Sequence, residues 1–330
     1  MARKMQALVL DQPGHPSTWR MGDLPIPEPG HDQLRIKIFA CGLNPADYKI
    51  GERGNPAWQF PFVMGLDVAG VIDAVGENVK SWQIGEKVYY HGDFTRRGGF
   101  AEFTVIPARV VARIPGNISY IEASSIPCSG FTAYQSVFYK LHLKADDTVL
   151  IQGAAGSVGM FALQLCHHAG AVIIATASQK NTDFVKDLGA DFVIDYQTEN
   201  IKQRVFELTQ NRGVDAIIDT VSRASATDAL EMIAFGGQIA CIESLPDLSK
   251  VRPFTRALSI HEIALGVAHL SGDIKAQEQL AVIGQELGVL IESGLVKTTV
   301  SEVIQLAEVP QGLIKIADRH VRGKIVAQII

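Results

Sequence analysis

The segment TVLIQGAAGSVGMFALQLCHHAG, residues 148–170, decides the fold of the second half of this 330-residue chain. Its first five residues form a short apolar run rich in β-branched side chains, which predicts a buried strand. Residues 153–159 are rich in glycine, and apolar residues then recur at helical spacing as far as Gly170. A strand, a glycine-rich turn and a helix in this order are typical of a unit that binds a dinucleotide.

Glycine in this turn has a physical role next to a phosphate group. Gly153 and Gly156 are expected to let the backbone turn tightly beside a pyrophosphate, and Gly159 to let the helix pack closely on the strand. The free N–H groups and the positive dipole end of the helix favour the phosphates. Ala155 breaks the strict G-x-G-x-x-G spacing, so a tight turn without a ligand is the alternative. The residues predicted to bind the cofactor here are Gly153, Ala155, Gly156, Ser157, Val158 and Gly159.

Length and composition restrict the class of protein. A chain of 330 residues indicates about two domains, and 47% hydrophobic with 20% charged residues is typical of a soluble globular protein. A net charge of −5 gives no electrostatic reason to expect a nucleic acid or an acidic membrane as partner. No signal peptide or membrane span is apparent. The four cysteines show neither disulfide-framework nor C-x-x-C spacing, which favours free thiols in a reducing cytoplasm.

The periodicity of the chain changes near residue 126. Before it, short alternating strands separated by Pro and Gly residues predict an all-β domain of the barrel type. After it, strands, among them 192–195 and 237–242, alternate with helices as far as a long helical pattern at 274–293, which predicts an α/β fold with a parallel sheet. The tail turns β again and is expected to return to the first domain. The predicted domains are therefore 1–125 with 298–330, and 126–297.

Several segments in family order resemble the medium-chain dehydrogenase/reductase superfamily, and within it the zinc-independent, quinone oxidoreductase-like branch. They include CGLNPADYK (41–49), GLDVAGVIDAVG (65–76), PCSGFTAYQSV (127–137), GAAGSVGMFALQL (153–165) and RGKIVAQI (322–329). The resemblance implies a GroES-like substrate domain joined to a doubly wound Rossmann domain, with the active site in the cleft between them. It also implies a homodimer formed by edge pairing of a strand near 258–264.

The resemblance also predicts that the chain binds no metal. Zinc-dependent relatives hold the ion with two cysteines and a histidine; here Asn44 and Leu66 occupy two of those positions and only Cys128 remains. A catalytic zinc ion needs three protein ligands, so one thiolate does not hold it. Cys128 is expected to be a small buried thiol. His91, Arg96 and Arg97 lie in a glycine-flanked segment that is expected to be solvated, and Lys324 is expected to be structural.

The choice of cofactor depends on the end of the second Rossmann strand. NAD-specific folds place an acidic residue there, whereas this chain has Ser178, followed by Lys180. A hydroxyl group and an ammonium group suit a 2′-phosphate, and Tyr196 resembles a tyrosine that relatives place against that phosphate. A solvated lysine and a half-buried tyrosine are the alternative. We predict NADPH as the cofactor. Further cofactor contacts are predicted at Thr132, Val221, Cys241 and Ile242.

The remaining chemistry is hydride transfer without a Lewis acid. Quinones and α,β-unsaturated carbonyls accept hydride more readily than simple ketones, so they are the predicted substrates. Asn44 is the predicted donor to the developing oxyanion, Tyr48 or a water the proton donor, and Asp47 the group that orients them. Structural alternatives are that Asn44 is a turn residue before Pro45 and that Asp47 only caps the next turn. The alternative functions are a zinc alcohol dehydrogenase with atypical ligands and a non-catalytic NADPH-binding protein.

Overall fold

A parallel six-stranded sheet is the centre of the second half of the computed structural model, which describes residues 3–318 and 321–330. Contacts divide the chain into two units: the first comprises the described residues within 1–131, 265–294 and 298–330, and the second comprises 132–264 and 295–297. The sheet of the second unit consists of β8 (Thr148–Gln152), β9 (Val172–Ala177), β10 (Phe192–Asp195), β11 (Val214–Asp219), β12 (Ile233–Cys241) and β13 (Ser259–Glu262).

The strand order of this sheet is β10-β9-β8-β11-β12-β13, and every neighbouring pair is parallel. Strands are added in one direction from β8 to β10 and in the opposite direction from β11 to β13, so the boundary between β8 and β11 is the topological switch point where open α/β sheets bind ligands. The middle of β8 is completely buried, as expected for a strand covered on both faces. The helices of the unit are α3 (Thr132–Tyr134), α4 (Ser157–His168), α5 (Thr182–Asp187), α6 (Ile201–Leu208) and α7 (Arg223–Ala229).

The first unit is rich in antiparallel strands. A two-stranded sheet pairs β1 (Lys4–Val9) with β2 (Arg20–Pro25). The strands of the larger sheet are β3 (Gln33–Gly42), β4 (Asp67–Val75), β5 (Lys87–His91), β6 (Phe103–Pro107), β7 (Ala112–Arg113), β14 (Val300–Gln305) and β15 (Lys324–Gln328). Their order is β14-β15-β3-β4-β5-β7, and β6 also pairs with β3.

Four α-helices belong to this unit: α1 (Pro45–Arg53), α2 (Tyr120–Ser124), α8 (Ile274–Glu292) and α9 (Val309–Ala317). The long helix α8 packs against β5 and β7, and the Tyr89 hydroxyl donates a hydrogen bond of 2.6 Å to the Gly284 carbonyl within it. Contacts thus group α8 with the first unit, whereas the sequence prediction assigned 126–297 to a single domain. The reason is that helical periodicity locates a helix but does not say which sheet its apolar face covers.

The predicted α/β class is confirmed by the parallel sheet and its intervening helices, and the predicted β character of residues 1–125 by the strands of the first unit. Four of the described elements of that unit were not predicted: the strands β2 and β7 and the helices α1 and α2. No helix in residues 3–318 or 321–330 is both long and apolar enough to span a bilayer.

Candidate functional site

The glycine-rich turn leaves β8 at the switch point of the second unit. Gly153 has a φ of +76°, and a Cβ atom there would overlap the Thr220 hydroxyl oxygen, so both its conformation and its surroundings require glycine. A Cβ atom on Gly159 would lie 2.5 Å from the carbonyl oxygen of Gly153. The start of α4 therefore packs directly on the turn that follows β8.

The N-terminus of α4 presents free backbone donors. Gly156 is the N-cap residue, with extended φ and ψ, and is exposed. The Met160 amide donates the first helical hydrogen bond to the Gly156 carbonyl, at 2.9 Å. The amides of Ser157, Val158 and Gly159 precede that bond and so have no acceptor within the helix. A helix N-terminus at a switch point, with amides that lack a helical acceptor, is suited to a phosphate group.

The residues predicted to recognise a 2′-phosphate follow the next two strands. Ser178 comes directly after β9 and is buried. Its hydroxyl oxygen accepts a hydrogen bond of 3.3 Å from the side-chain nitrogen, Nδ2, of Asn181. Lys180 is exposed, and Tyr196, directly after β10, is 53% exposed. β9 and β10 are parallel neighbours, so their carboxyl ends lie on the same edge of the sheet. The two exposed side chains are free to meet an anionic ligand.

The other predicted cofactor contacts lie at the same edge of the sheet or at the start of the unit. Val221 follows β11, and its amide donates a hydrogen bond of 3.1 Å to the carboxylate of Asp219. Cys241 is the buried last residue of β12, and the Ile242 amide donates to the Asp219 carbonyl at 3.0 Å. Burial raises the pKa of Asp219. Thr132, by contrast, is buried at the start of α3, where its carbonyl accepts a hydrogen bond of 2.8 Å from the Ser136 hydroxyl.

A buried ammonium group is the main feature of the first unit. Lys324, the first residue of β15, is 3% exposed, and its Nζ donates to Asn44 Oδ1, to Asp67 Oδ2 at 2.8 Å and to Ser129 Oγ at 3.3 Å. The other carboxylate oxygen of Asp67 accepts the Cys128 amide at 2.8 Å. An ammonium group has three protons, so these three oxygens use its whole donor capacity. We call Asn44, Asp67, Ser129 and Lys324 the lysine cluster.

Strand register explains how the cluster assembles. Gly42 of β3 lies opposite Asp67 of β4, which lies opposite His91 of β5, so these three residues share one face of the sheet. A Cβ atom on Gly42 would overlap the Ser124 carbonyl oxygen and lie 3.1 Å from Lys324 Cε. Glycine at this position therefore leaves the space through which the lysine side chain reaches the carboxylate.

The three predicted catalytic residues lie at the start of α1. Asn44 is the N-cap residue and is 1% exposed. Its backbone amide donates a hydrogen bond of 2.9 Å to Asp47 Oδ2, so Asp47 does have the capping contact that the sequence analysis gave as its structural alternative. Asn44 Nδ2 is 3.4 Å from the Gly42 carbonyl, a long contact that leaves donor capacity on the nitrogen. Tyr48 is half-buried on the same helix.

The Asp47 carboxyl group has a perturbed protonation equilibrium. It is completely buried, and its Oδ1 has no hydrogen-bond partner in the part of the chain that the structure describes. Burial, with a smaller contribution from the negative charge of Asp67, raises its pKa from 3.8 to about 7. Near neutral pH the group can therefore hold or release a proton.

Three further side chains bear on the question of a metal. Ligand atoms of Asp67, His91 and Cys128 all lie within 4.8 Å of one another, a grouping that the sequence analysis missed because it found only Cys128. His91 is buried, so the prediction that it lies in a solvated segment is wrong, although Arg96 and Arg97 are exposed as predicted. Burial lowers the pKa of His91 to about 4 and raises that of the Cys128 thiol.

These donors do not fit a divalent metal ion well. Both oxygens of Asp67 are already engaged, one by the Lys324 ammonium at 2.8 Å and the other by the Cys128 amide. A dication bound by Asp67 would be repelled by the neighbouring ammonium charge. The Cys128 thiol would also have to lose a proton to become a ligand, and its raised pKa opposes that loss.

The sequence analysis did not recognise Lys324, Asp67 or Ser129 as members of a polar site. A weak signal was present, because Lys324 is the one charged residue of the otherwise largely apolar β15 and Asp67 directly precedes the apolar run of β4, and buried charges are normally paired. The sequence could not show that they pair with each other.

Both units contain a segment that matches a known protein family. Residues 30–116 match the family described as alcohol dehydrogenase GroES-like domain, and residues 157–281 match the family described as zinc-binding dehydrogenase. The chain is 30% identical to the quinone oxidoreductase of Sus scrofa over 293 residues, which cover 86% of this chain and 87% of the relative. It is 34% identical to a trans-enoyl reductase of Pyricularia oryzae over 266 residues, 74% of this chain and 72% of the relative.

The solved structure of the quinone oxidoreductase from Coxiella burnetii has the same fold. The two chains have a TM-score of 0.85 and 27% sequence identity, and the similarity covers 99% of this chain and 100% of the other. The likeness therefore extends over both units rather than over the dinucleotide-binding part alone.

Proposed function

The chain belongs to the medium-chain dehydrogenase/reductase superfamily, in its quinone oxidoreductase-like branch, and we propose that it is an NADPH-dependent, zinc-free reductase of quinones or α,β-unsaturated carbonyls. Members of the superfamily bind a nicotinamide dinucleotide, which supplies a hydride when bound. The observation that carries the metal-free part of the proposal is the buried Lys324 ammonium, which is bonded to Asn44 and Asp67. It provides the positive charge at a position where a metal would otherwise be expected.

The second unit is proposed to hold the dinucleotide. The exposed N-terminus of α4, with the amides of Ser157, Val158 and Gly159, binds the pyrophosphate. Lys180 and Tyr196 are exposed and bind the 2′-phosphate together with the Ser178 hydroxyl, which favours NADPH over NADH. A carboxylate at the end of β9 would repel that phosphate, and none is present there.

The first unit is proposed to act on the acceptor. Asn44 Nδ2 donates a hydrogen bond to the acceptor oxygen as negative charge develops on it. A proton then has to reach the reduced product. The Tyr48 hydroxyl delivers it, and Asp47, with a pKa of about 7, orients this group and replaces its proton. Acceptors that are reduced without a Lewis acid suit this set of groups, and quinones and enones are such acceptors.

The first test is reduction by EDTA-treated protein, with NADPH or NADH as donor and an ortho-quinone or a 2-enal as acceptor. We expect turnover with NADPH that survives chelation. Activity that is lost with EDTA and restored by zinc would overturn the metal-free proposal in favour of a zinc alcohol dehydrogenase using Asp67, His91 and Cys128. Tight NADPH binding without turnover on any acceptor would instead indicate a non-catalytic NADPH-binding protein.

The role of Asn44 is tested with Asn44→Asp. Aspartate keeps an oxygen for the Lys324 ammonium but loses the Nδ2 donor, so kcat/KM should fall about 100-fold, the usual effect of removing one oxyanion donor. Asn117→Asp is the matched control, because Asn117 is exposed and its side-chain amide donates to the Glu292 carbonyl, outside the lysine cluster. It should leave kcat/KM unchanged. Equal effects of the two substitutions would contradict the assignment.

We also propose that the protein is a homodimer. β13 is the last strand of its sheet and has a neighbour, β12, on one side only among the described strands. An unpaired strand edge is a template for pairing with a second chain.

A further inference from the structure

We infer that Lys324 is a positioning residue for Asn44: its ammonium group fixes the orientation of the Asn44 amide so that Nδ2, rather than Oδ1, is available to the acceptor. This inference rests on the proposed reduction and on the assignment of Asn44 as its hydrogen-bond donor. It gives the buried cation of the lysine cluster a role in turnover and not only in folding.

The orientation follows from the chemistry of the two groups. An amide side chain has an oxygen that accepts and a nitrogen that donates, and the two ends have nearly the same shape. An ammonium group only donates, so it can contact Asn44 through Oδ1 alone. With Oδ1 bonded to Lys324 Nζ, Nδ2 must point to the other side, where it lies 3.4 Å from the Gly42 carbonyl.

The ammonium group itself is held in one place. Its other two protons go to Asp67 Oδ2 and Ser129 Oγ, and the second oxygen of Asp67 is bound by the Cys128 amide. Lys324 is 3% exposed and Asp67 is completely buried, so water does not compete strongly for these contacts. A buried ion pair of this kind does not guarantee extra stability, and a function in fixing a unique arrangement is its best-attested use.

Without the ammonium group, the amide loses the partner that distinguishes its two ends. Asn44 could then turn by half a rotation about its last side-chain bond and present Oδ1 to the acceptor, which would repel a developing oxyanion. The expected consequence is a lower kcat with unchanged binding of the dinucleotide, because the residues assigned to the dinucleotide belong to the other unit.

The test is a double-mutant cycle between Asn44 and the ion pair. The double substitution Lys324→Met/Asp67→Asn removes the ammonium without leaving a lone buried carboxylate, and the new amide oxygen can still accept the Cys128 amide. It is measured in the wild-type background and together with Asn44→Ala. Arg35→Met/Asp73→Asn is the matched control. It removes a different ion pair of the same unit, which is partly buried and bonded at 2.7 Å.

If Lys324 acts through Asn44, Lys324→Met/Asp67→Asn lowers kcat at least 10-fold, with the NADPH Kd changed less than 2-fold. The same pair of substitutions changes kcat less than 2-fold once Asn44 is alanine. The Arg35→Met/Asp73→Asn control leaves kcat within 2-fold in both backgrounds. Equal losses of kcat in both backgrounds would mean a structural role only and would overturn the inference.

The same cycle is followed by urea unfolding, which does not depend on turnover. If Lys324 holds the Asn44 amide, the shifts in unfolding midpoint are not additive. If the wild-type protein reduces neither acceptor, the proposed function fails, and the unfolding cycle still decides whether the contact exists. Additive midpoints would overturn the inference whatever the activity.

Discussion

Asp47 is the residue whose chemistry departs furthest from its sequence expectation. The sequence predicted that Asp47 orients other groups or caps a turn, and its Oδ2 does accept a hydrogen bond from the Asn44 backbone amide at the start of α1. Complete burial adds a property that the sequence does not show, a pKa raised from 3.8 to about 7. The local sequence around Asp47 does not show this pKa shift, because the burial that causes it is produced by tertiary packing.

This pKa makes the Asp47 contribution to stability depend on pH. Between about pH 4 and pH 7 the folded state holds a proton on Asp47 that the unfolded state has released. The free energy of unfolding therefore decreases as pH rises through this window and levels off above it. A shift from 3.8 to about 7 corresponds to roughly 4 kcal/mol.

Asp47→Asn should remove the pH dependence that comes from this group. The variant keeps a side-chain oxygen for the Asn44 amide but does not titrate, so its stability relative to wild type should rise between pH 4.5 and pH 7.5. Urea unfolding of both proteins at several pH values measures the difference. Asp318→Asn, an exposed aspartate on the same unit, is the control and should show no such trend. A difference that stays constant with pH would contradict the raised pKa.

At the scale of elements, local sequence predicted most of the second unit. The strands β8 and β10 have the predicted bounds, 148–152 and 192–195, because a buried parallel strand is a short apolar run with turn residues on both sides. β12 was predicted to begin at Gly237 but begins at Ile233 and continues through Gly236, where φ is +78°. The pairing with β11 shifts register in this region, so the strand tolerates glycines that normally indicate its end.

The helix α1 was missed although its start signals are present. Asn44 is an N-cap residue, Pro45 occupies the first helical position and Asp47 the third, which is a typical helix start. The segment was interpreted as a turn because Asn followed by Pro also favours turns. A nine-residue helix with only two buried residues has little apolar periodicity to resolve that ambiguity.

The N-terminus of α4 allows a sharp test of phosphate binding. At Gly156, which is exposed and has extended φ and ψ, aspartate and asparagine are both favourable N-cap residues. Gly156→Asp and Gly156→Asn should therefore both fold, and they differ mainly in one negative charge. If the pyrophosphate binds at this end of the helix, the aspartate variant should bind NADPH at least 10-fold more weakly than the asparagine variant.

Isothermal titration of the two variants measures this ratio, and thermal unfolding checks that both are folded. Repeating the comparison at higher salt should reduce the ratio, because an electrostatic penalty at an exposed site is screened. Equal affinities of the two variants for NADPH would contradict phosphate binding at α4.

In the whole molecule, the assembly of the lysine cluster is the feature that the sequence did not predict. Asn44, Asp67, Ser129 and Lys324 come from four separate segments, and the two ends of the Lys324–Asn44 contact are 280 residues apart in the chain. β15, which pairs with β3 at Gly42, brings Lys324 back to the first segment. The return of the tail was predicted, but which side chains would meet was not, because strand register across 280 residues is fixed by tertiary packing.

The proposed homodimer is tested at the edge strand β13. If β13 pairs with its copy in a second chain, sedimentation velocity should show a dimer, and a proline in that strand should weaken it, because proline removes a backbone donor and is poorly tolerated inside a sheet. Ile260→Pro is the test and Ile260→Thr the control, since threonine keeps the amide and suits a strand. The circular dichroism spectrum of each variant checks that it is folded. A monomeric wild-type protein, or a folded Ile260→Pro variant that remains a dimer, would rule out pairing through β13.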